Sequence, residues 1–341
     1  MIRRLTYAAL FFMPLLGAAQ DVHFSQIRNV PLYLNPALNG SFEGNFRAVI
    51  NHRSQWSSIS DPFVSSAVSF DSRNWEDRLK GDAIGLGLIV IRDISGASDL
   101  TVLDARIGVS YHKHIDVKGY HMVSLGAYGG FIQKSIDGEK LIFESQFIET
   151  EFDPTIDSRE NFESFSIIQP DLHTGILYSY SKDDENSYKA GLSVFHLTRP
   201  DQSFLGQIDR LSPRFVFHAN SSHMLQDNLR IGPAIQAMYQ NGAKEVLSGL
   251  TTYYLLESDA QDKVTLEFGA WSRLSGWDAV ILTTGLDYKN WRFGFSYDLN
   301  VSTLKTASSA RGAFELSIIY IDRILAGGRM PVIVPCQRMF N

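Results

Sequence analysis

Trp291 to Asn300 reads WRFGFSYDLN, and its two kinds of residue alternate without a break. Trp291, Phe293, Phe295, Tyr297 and Leu299 fall on one side of an extended chain, and Arg292, Gly294, Ser296, Asp298 and Asn300 on the other. Successive side chains of a strand point to opposite faces, so this run is a strand with one apolar and one polar face. The same pattern recurs outward from it. Ala313 to Tyr320 sets Phe314, Leu316, Ile318 and Tyr320 against Glu315 and Ser317. Residues 263–270 set Val264, Leu266, Phe268 and Ala270 against Thr265, Glu267 and Gly269. Residues 101–112 set Leu103, Ala105, Ile107, Val109 and Tyr111 against Asp104, Arg106, Gly108, Ser110 and His112. Near the start, Phe46, Ala48, Ile50 and Trp56 oppose Asn45, Arg47, Asn51, Arg53 and Gln55.

Fourteen such segments are expected, near residues 44–56, 63–71, 83–94, 100–114, 121–133, 172–181, 187–197, 214–224, 228–240, 244–257, 263–273, 278–288, 291–300 and 311–321. Most have the roughly 9–11 residues that a tilted membrane-spanning strand requires, and an even number suits a single-chain bacterial barrel. The connections are sorted as well. Tight turns at 115–120, 182–186, 225–227, 258–262 and 289–290 alternate with a set that includes the long connections 134–171 and 198–213. The even-numbered connection 72–82 is longer, and its Trp75 to Lys80 stretch suits one or two helical turns. The predicted fold is an all-β transmembrane antiparallel barrel over residues 44–321, with short periplasmic turns and long extracellular loops. Trp56, Trp271, Trp291 and Tyr320 lie at strand ends, where aromatic girdles form. A soluble propeller would show a blade-length repeat, and none is visible.

The chain has 341 residues and a mean hydropathy of −0.09. In a barrel, lipid-facing and lumen-facing residues cancel in such an average. Residues 1–19 read as a signal peptide: Arg3 and Arg4, the apolar stretch Leu5 to Leu16, then Gly17-Ala18-Ala19 before a cut at Gln20. Its loss takes two bases from a formal charge of −6 and leaves −8, which speaks against a nucleic-acid partner. The one cysteine, Cys336, lies in a C-terminal periplasmic tail, 322–341, so no internal disulfide is expected. No nucleophile elbow, Walker A or zinc-protease motif is present, and neither an enzyme activity nor a cofactor is expected.

Three groups of residues carry the functional reading. The segment 20–43 has no sustained period, yet it holds Phe24, Ile27, Val30, Leu32, Tyr33, Leu34 and Leu38 among its prolines. It is expected to pack in the lumen or against a partner on the periplasmic side, with Asn35 and Pro36 as partner-binding candidates. Loop 134–171 carries ten acids against three bases, interleaved with Phe143, Phe147, Phe152, Phe162 and Phe165. These aromatics are further partner-binding candidates, because a solvated loop does not need them. Asp153, Asp157 and Glu160 in the same loop could take Ca²⁺ but lack EF-hand spacing. His112 and His114 share a face without nearby carboxylate or cysteine partners, so no metal site is assigned. Arg47, Arg53, Arg106, Glu267, Arg292, Asp298 and Glu315 are candidates for a lumen network. Their mixed signs suit a bolted wall better than a solute path.

Several of these stretches also resemble one family. Phe24-Ser25-Gln26, Leu34-Asn35-Pro36-Ala37, Gly40, Arg53-Ser54-Gln55-Trp56, Phe295 to Asn300 and Gly312-Ala313-Phe314-Glu315 are similar to the PorP/SprF family, and the resemblance spans nearly the whole mature chain. It implies an outer-membrane barrel of the type IX secretion and gliding apparatus, set among outer-membrane lipids. It implies association with periplasmic ring proteins and a lipoprotein. It also implies anchoring or assisted export of a surface protein, such as an adhesin, through that client's C-terminal domain. The competing expectation is a diffusion channel or fatty-acid-type transporter. An occluded lumen favours the first, a continuous wet pore the second.

Overall fold

The computed structural model describes residues 21–322, except 57–60, 75–78, 80, 149–150, 154, 161, 163, 184, 257–263 and 303–310. The expected signal peptide, the expected tail beyond residue 322 and most of the helical turn expected at Trp75 to Lys80 lie outside the described residues. The wall strands are β1 Phe46–Gln55, β2 Phe63–Asn74, β3 Ala83–Ser95, β4 Leu100–His114, β5 His121–Ser135, β8 Ser166–Ser181, β9 Asn186–Phe195 and β10 Arg214–Gln226. They continue as β11 Leu229–Gln240, β12 Ala243–Leu256, β13 Val264–Arg273, β14 Ala279–Tyr288, β15 Trp291–Asn300 and β16 Arg311–Asp322. Each pairs antiparallel with its neighbours, and β1 closes the ring on β16 with Arg53 opposite Glu315. Two short strands, β6 Phe147–Ile148 and β7 Glu151–Phe152, form a separate hairpin in the longest connection.

All fourteen segments read from the alternation are strands of this closed barrel. The largest boundary error is at β8, which begins at Ser166 inside the expected loop 134–171. Pro170 and the acidic residues around it hide a strand there. A strand tolerates proline where a ladder partner is missing, and β9 reaches β8 only from Thr174 onward. The alternation also gives the faces. Ile107, Phe268 and Leu316 are exposed, at 69%, 55% and 48%, while Arg106, Glu315 and Ser296 are buried. Trp291 stacks edge-on against Tyr320, 4.8 Å between ring centroids, on the outer face at the short-turn end. Trp271 was expected in such a girdle. It points into the lumen instead and packs with Ile27, Leu247 and Ile281, since it falls in opposite phase to Phe268 along β13.

Residues 21–42 fill the lumen. Ile27–Asn29 and Pro36–Leu38 are 3₁₀ turns, and Pro31–Leu34 is a single α-turn, α1. Pro31 and Pro36 each stand at a first helical position, where no amide hydrogen is needed. The apolar side chains of this plug meet apolar wall residues on three sides. Phe24, Val30, Leu32 and Tyr33 pack with Ala67, Ile89, Ile91 and Tyr128. Leu34, Ala37 and Leu38 pack with Leu177, Phe195, Val216 and Met238, and Ile27 packs in the Trp271 cluster. Asp21 bonds to residues at the long-loop ends of their strands, and Gly40 to Asp71 and Arg73 near the short-turn end. The segment therefore runs the height of the barrel before β1 turns back up the wall.

Candidate functional site

The lumen face of β1, β15 and β16 carries a knot of charge into which the plug is tied. Arg53 donates to Asp298 at 2.9 Å and to Glu315 at 3.4 Å. Its guanidinium also donates to Ser25 Oγ at 2.7 Å, and Ser25 Oγ donates to Asp298 at 2.8 Å. Glu315 accepts the backbone N–H of Ser25 at 2.7 Å, that of Gln26 at 3.1 Å, and the Asn51 amide at 2.9 Å. Arg273 approaches Asp298 at 3.5 Å from β13. A buried charge is tolerated only when paired and hydrogen-bonded, and here two orphan N–H groups of the plug supply part of the pairing. Ser25, Gln26, Arg53, Asp298 and Glu315, which lie in stretches that carry the family resemblance, thus converge on one place.

Lower down, the wall is cleared of side chains to seat the turn Asn35-Pro36-Ala37. A Cβ on Gly126 would lie 2.3 Å from the Pro36 carbonyl carbon, and one on Gly175 would lie 2.0 Å from Asn35 Oδ1. The Asn35 amide donates to the Ile176 and Leu192 carbonyls at 3.0 and 3.3 Å, and its Oδ1 accepts the Ala37 N–H at 2.8 Å. The Asn39 carbonyl accepts from Ser110 at 2.7 Å and from His112 Nε2 at 2.6 Å. Gly40 N–H donates to Asp71, which is held by Arg47 at 2.7 and 2.9 Å. Asn35 and Pro36 were expected as partner-binding candidates; both are buried in the lumen, where Asn35 bonds to its own barrel. A turn with a proline and short polar side chains resembles an exposed recognition loop in sequence. The glycines that receive it are on other strands.

At the long-loop end a second clasp holds the start of the plug. His196 follows β9 directly. Its Nε2 faces Asp21 at 2.6 Å and its Nδ1 faces Asp171 of β8. Carboxylate oxygens only accept, so both ring nitrogens carry protons and the ring is an imidazolium between two anions. Burial works against that charge, but Asp21 and the hydrogen bonds to Asp171 and Asp21 outweigh it and push the His196 pKa up to about 9. For Asp21, burial favours the neutral acid, yet His196 and Arg214 hold it well below the usual carboxylate range. The Arg214 guanidinium also lies over the rings of Tyr33 and Phe195, at 4.2 and 4.3 Å. Asp171, His173 and His196 bring a potential ligand atom each within 4.8 Å of the others. However, His173 Nδ1 accepts the His196 backbone N–H at 3.1 Å. That leaves its proton on Nε2, facing Asp171. The donor set is therefore suited to hydrogen bonding; a cation would need lone pairs where N–H groups stand.

The remaining candidates are distributed as follows. Arg106 pairs with its strand neighbour Asp104 and lies over Phe195 at 5.0 Å. Arg292 donates to Asp287 at 2.7 and 3.0 Å, and Glu267 faces Arg292 and Arg28. Asp71 and Asp287 sit at lumen phases of their strands and were within reach of the period-two reading. Asp21 lies outside any periodic segment and His196 at the end of the one expected at 187–197, and only the folded chain brings them together. In the long connection, Phe162 lies 6.0 Å from Phe143 and 5.0 Å from Phe165, and Phe147 faces Phe152 across β6 and β7 at 5.6 Å. Phe147, Phe152 and Phe165 remain exposed. Asp153 caps its own turn, accepting from Thr155 N–H and Oγ at 2.9 and 2.6 Å.

A family model described as type IX secretion system membrane protein PorP/SprF matches residues 16–320. No curated protein matches the chain. Among solved structures, the Ralstonia pickettii toluene transporter TbuX is similar at a TM-score of 0.53 and 14% identity, over 89% of this chain and 94% of that one. The Pseudomonas putida toluene transporter TodX is similar at a TM-score of 0.53 and 12% identity, over 90% and 96%. At these identities the likeness is one of fold: an outer-membrane barrel.

Proposed function

We propose, from the premise that the chain belongs to the PorP/SprF family of type IX secretion system membrane proteins, that it is a non-enzymatic coupling component that anchors or assists export of a particular surface protein. The observation that carries this reading is the filled lumen. Residues 21–42 occupy it from one end to the other, with Phe24, Leu32, Asn35 and Asn39 buried against the wall. A secreted client does not pass through such a barrel, so it is met at the barrel's surfaces. The long-loop end, taken as extracellular after cleavage of the signal peptide, offers exposed Phe147, Ile148, Phe152 and Phe165 among acids; it suits the C-terminal domain of an adhesin-like client. The short-turn end faces the periplasmic ring proteins and lipoprotein. The deciding experiment is surface proteomics of a deletion strain beside a small-solute uptake assay. Loss of one or a few large surface proteins with unchanged uptake supports coupling.

A second reading, a solute transporter, is favoured by the fold likeness to the two toluene transporters. It requires the plug to move. An unchanged surface proteome with impaired uptake would establish it over the first.

A further inference from the structure

We propose that His196 is a latch through which the connection 196–213 controls the long-loop end of the plug: when that connection is drawn out of place, the imidazole leaves Asp21, and residues Asp21 to Phe24 are held less tightly, by Gln240, Arg214 and Glu245. This does not depend on which client is bound or on whether solute is carried.

Four observations combine. The first is the backbone. His196 has φ +58° and Arg199 has φ +51°, a left-handed conformation at both ends of a turn closed by Arg199 N–H to the His196 carbonyl at 3.1 Å. Residues with a Cβ avoid this region, and they persist there only where the surroundings enforce it. The second is what the turn achieves: it sends the imidazole inward between Asp171 of the wall and Asp21 of the plug. The third is the connection itself, which is folded and not slack. Asp201 and Arg210 form an isolated antiparallel bridge, Gln202 N–H donates to Asp209 at 2.8 Å, and Leu211 N–H donates to Pro200 at 2.9 Å. Its far end carries Ile208 and Leu205, exposed at 76% and 51%. The fourth is a pivot. Thr198 Oγ donates to Asp171 at 2.7 Å or to the Pro170 carbonyl at 3.1 Å, and Leu197 N–H donates to Leu172 at 3.0 Å, beyond the last β8–β9 pair.

A folded lever, a pivot on β8 and a strained residue holding the plug make one unit. Refolding or displacing the lever lets His196 relax to an ordinary φ, which withdraws the ring. Ser25 onward stays tied to Arg53, Asp298 and Glu315, so the release is confined to the plug's end.

The test uses the full chain in detergent with Cys336→Ser and Val22→Cys, since Val22 packs against the Phe24 and Tyr33 cluster. Its reaction rate with a membrane-impermeant maleimide is measured on protein that keeps the compact mobility of an unheated barrel. His196→Gln, Asp21→Asn, and replacement of residues 200–211 by a Gly-Ser linker are each expected to raise the rate about tenfold. Lys140→Ala, which breaks an exposed ion pair in the other long connection, is expected to leave it unchanged. The latch is overturned if the linker replacement, with His196 intact, labels at the parent rate. It is also overturned if Lys140→Ala raises the rate as much as the others, which would mean that any loosening of the rim suffices. Asp21→Asn keeps the test open should His196→Gln fail to fold.

Discussion

Arg53 carries two acids and one plug contact, Ser25 Oγ, on one guanidinium, and its removal isolates more than one charge. Arg53→Ala leaves Asp298 and Glu315 buried with fewer partners, and breaking a buried pair in this way costs about 3–5 kcal/mol. The variant is expected to unfold at clearly lower temperature in detergent, whereas Lys182→Ala, in a short turn, is expected to match the parent; equal melting of the two would sink the structural role of the knot. His196 makes a second, pH-dependent contribution. Its folded pKa is raised to about 9 from an ordinary 6.5, so its stabilisation is complete below about pH 6.5 and is lost as pH rises through 9. The groups that set it are Asp21 on the plug, Asp171 and His173 on β8, Arg106 on β4 and Arg214 on β10. Asp21 acts in the opposite sense: lowered in the folded chain, it stabilises above the ordinary carboxylate range and ceases to do so as pH falls below it. The clasp is thus strongest in mildly acid solution. Thermal stability is expected to fall from pH 6.5 to 9.5 by an amount on the order of 3 kcal/mol, and His196→Gln is expected to flatten that fall. A parent profile with no slope over this interval would contradict the assignment.

At the scale of elements, the wall and the plug differ in how they are encoded. A strand such as β15 declares itself locally, because lipid on one side and lumen on the other impose opposite chemistry on alternate residues. That is why every wall strand was legible, and why β8 was cut short only where Pro170 and acids interrupt the signal. The plug has no period of its own. Its apolar content predicted burial, but not whether the lumen or a partner would supply it, because the complement is scattered over many strands: Gly126 on β5, Gly175 on β8, Glu315 on β16. The lumen glycines were a legible hint, being polar-phase positions with no side chain, though only the fold shows that Asn35 and Pro36 lie over them. A side chain there must displace the turn. Gly126→Val and Gly175→Val are each expected to unseat residues 35–39 while leaving the outer barrel closed. Hydrogen exchange would show faster exchange in the plug and unchanged protection in β13 to β16; protection of the plug at the parent level would refute the seat. The long connection is a third kind of element. Its aromatics pair with one another, so Phe143 and Phe162 read as its own small core, whereas exposed Phe147, Phe152 and Phe165 are what a partner would meet.

For the whole molecule, the closed ring of fourteen strands and the filled lumen make separable claims. Closure leaves no sheet edge, so the folded protein is expected to run faster on a gel before boiling than after, with or without its plug. Filling is a claim about conduction. With residues 21–42 in place, the apolar clusters around Phe24, Leu34 and Ile27 pack the described residues of the plug against the wall on three sides, so no wet path is expected. Deleting residues 21–42 removes the plug half of all three clusters together with the plug contacts of Arg53, Glu315 and Asp71. The lumen wall that remains is polar and of mixed sign, so water enters and ions of both signs follow. Reconstituted in a planar bilayer, the parent is expected to be silent and the deletion to conduct with little selectivity, provided that its unheated gel mobility shows a closed barrel. The two readings of function then part. A coupling component needs the plug only as internal packing, so a strain carrying the closed but plugless barrel should still display its surface protein while leaking small solutes. A transporter needs the plug as a gate, so the same strain should gain unregulated uptake of the carried solute, with its surface proteome never having depended on the barrel. Conduction by the intact parent would undo the filled lumen itself and, with it, the observation on which the coupling reading stands.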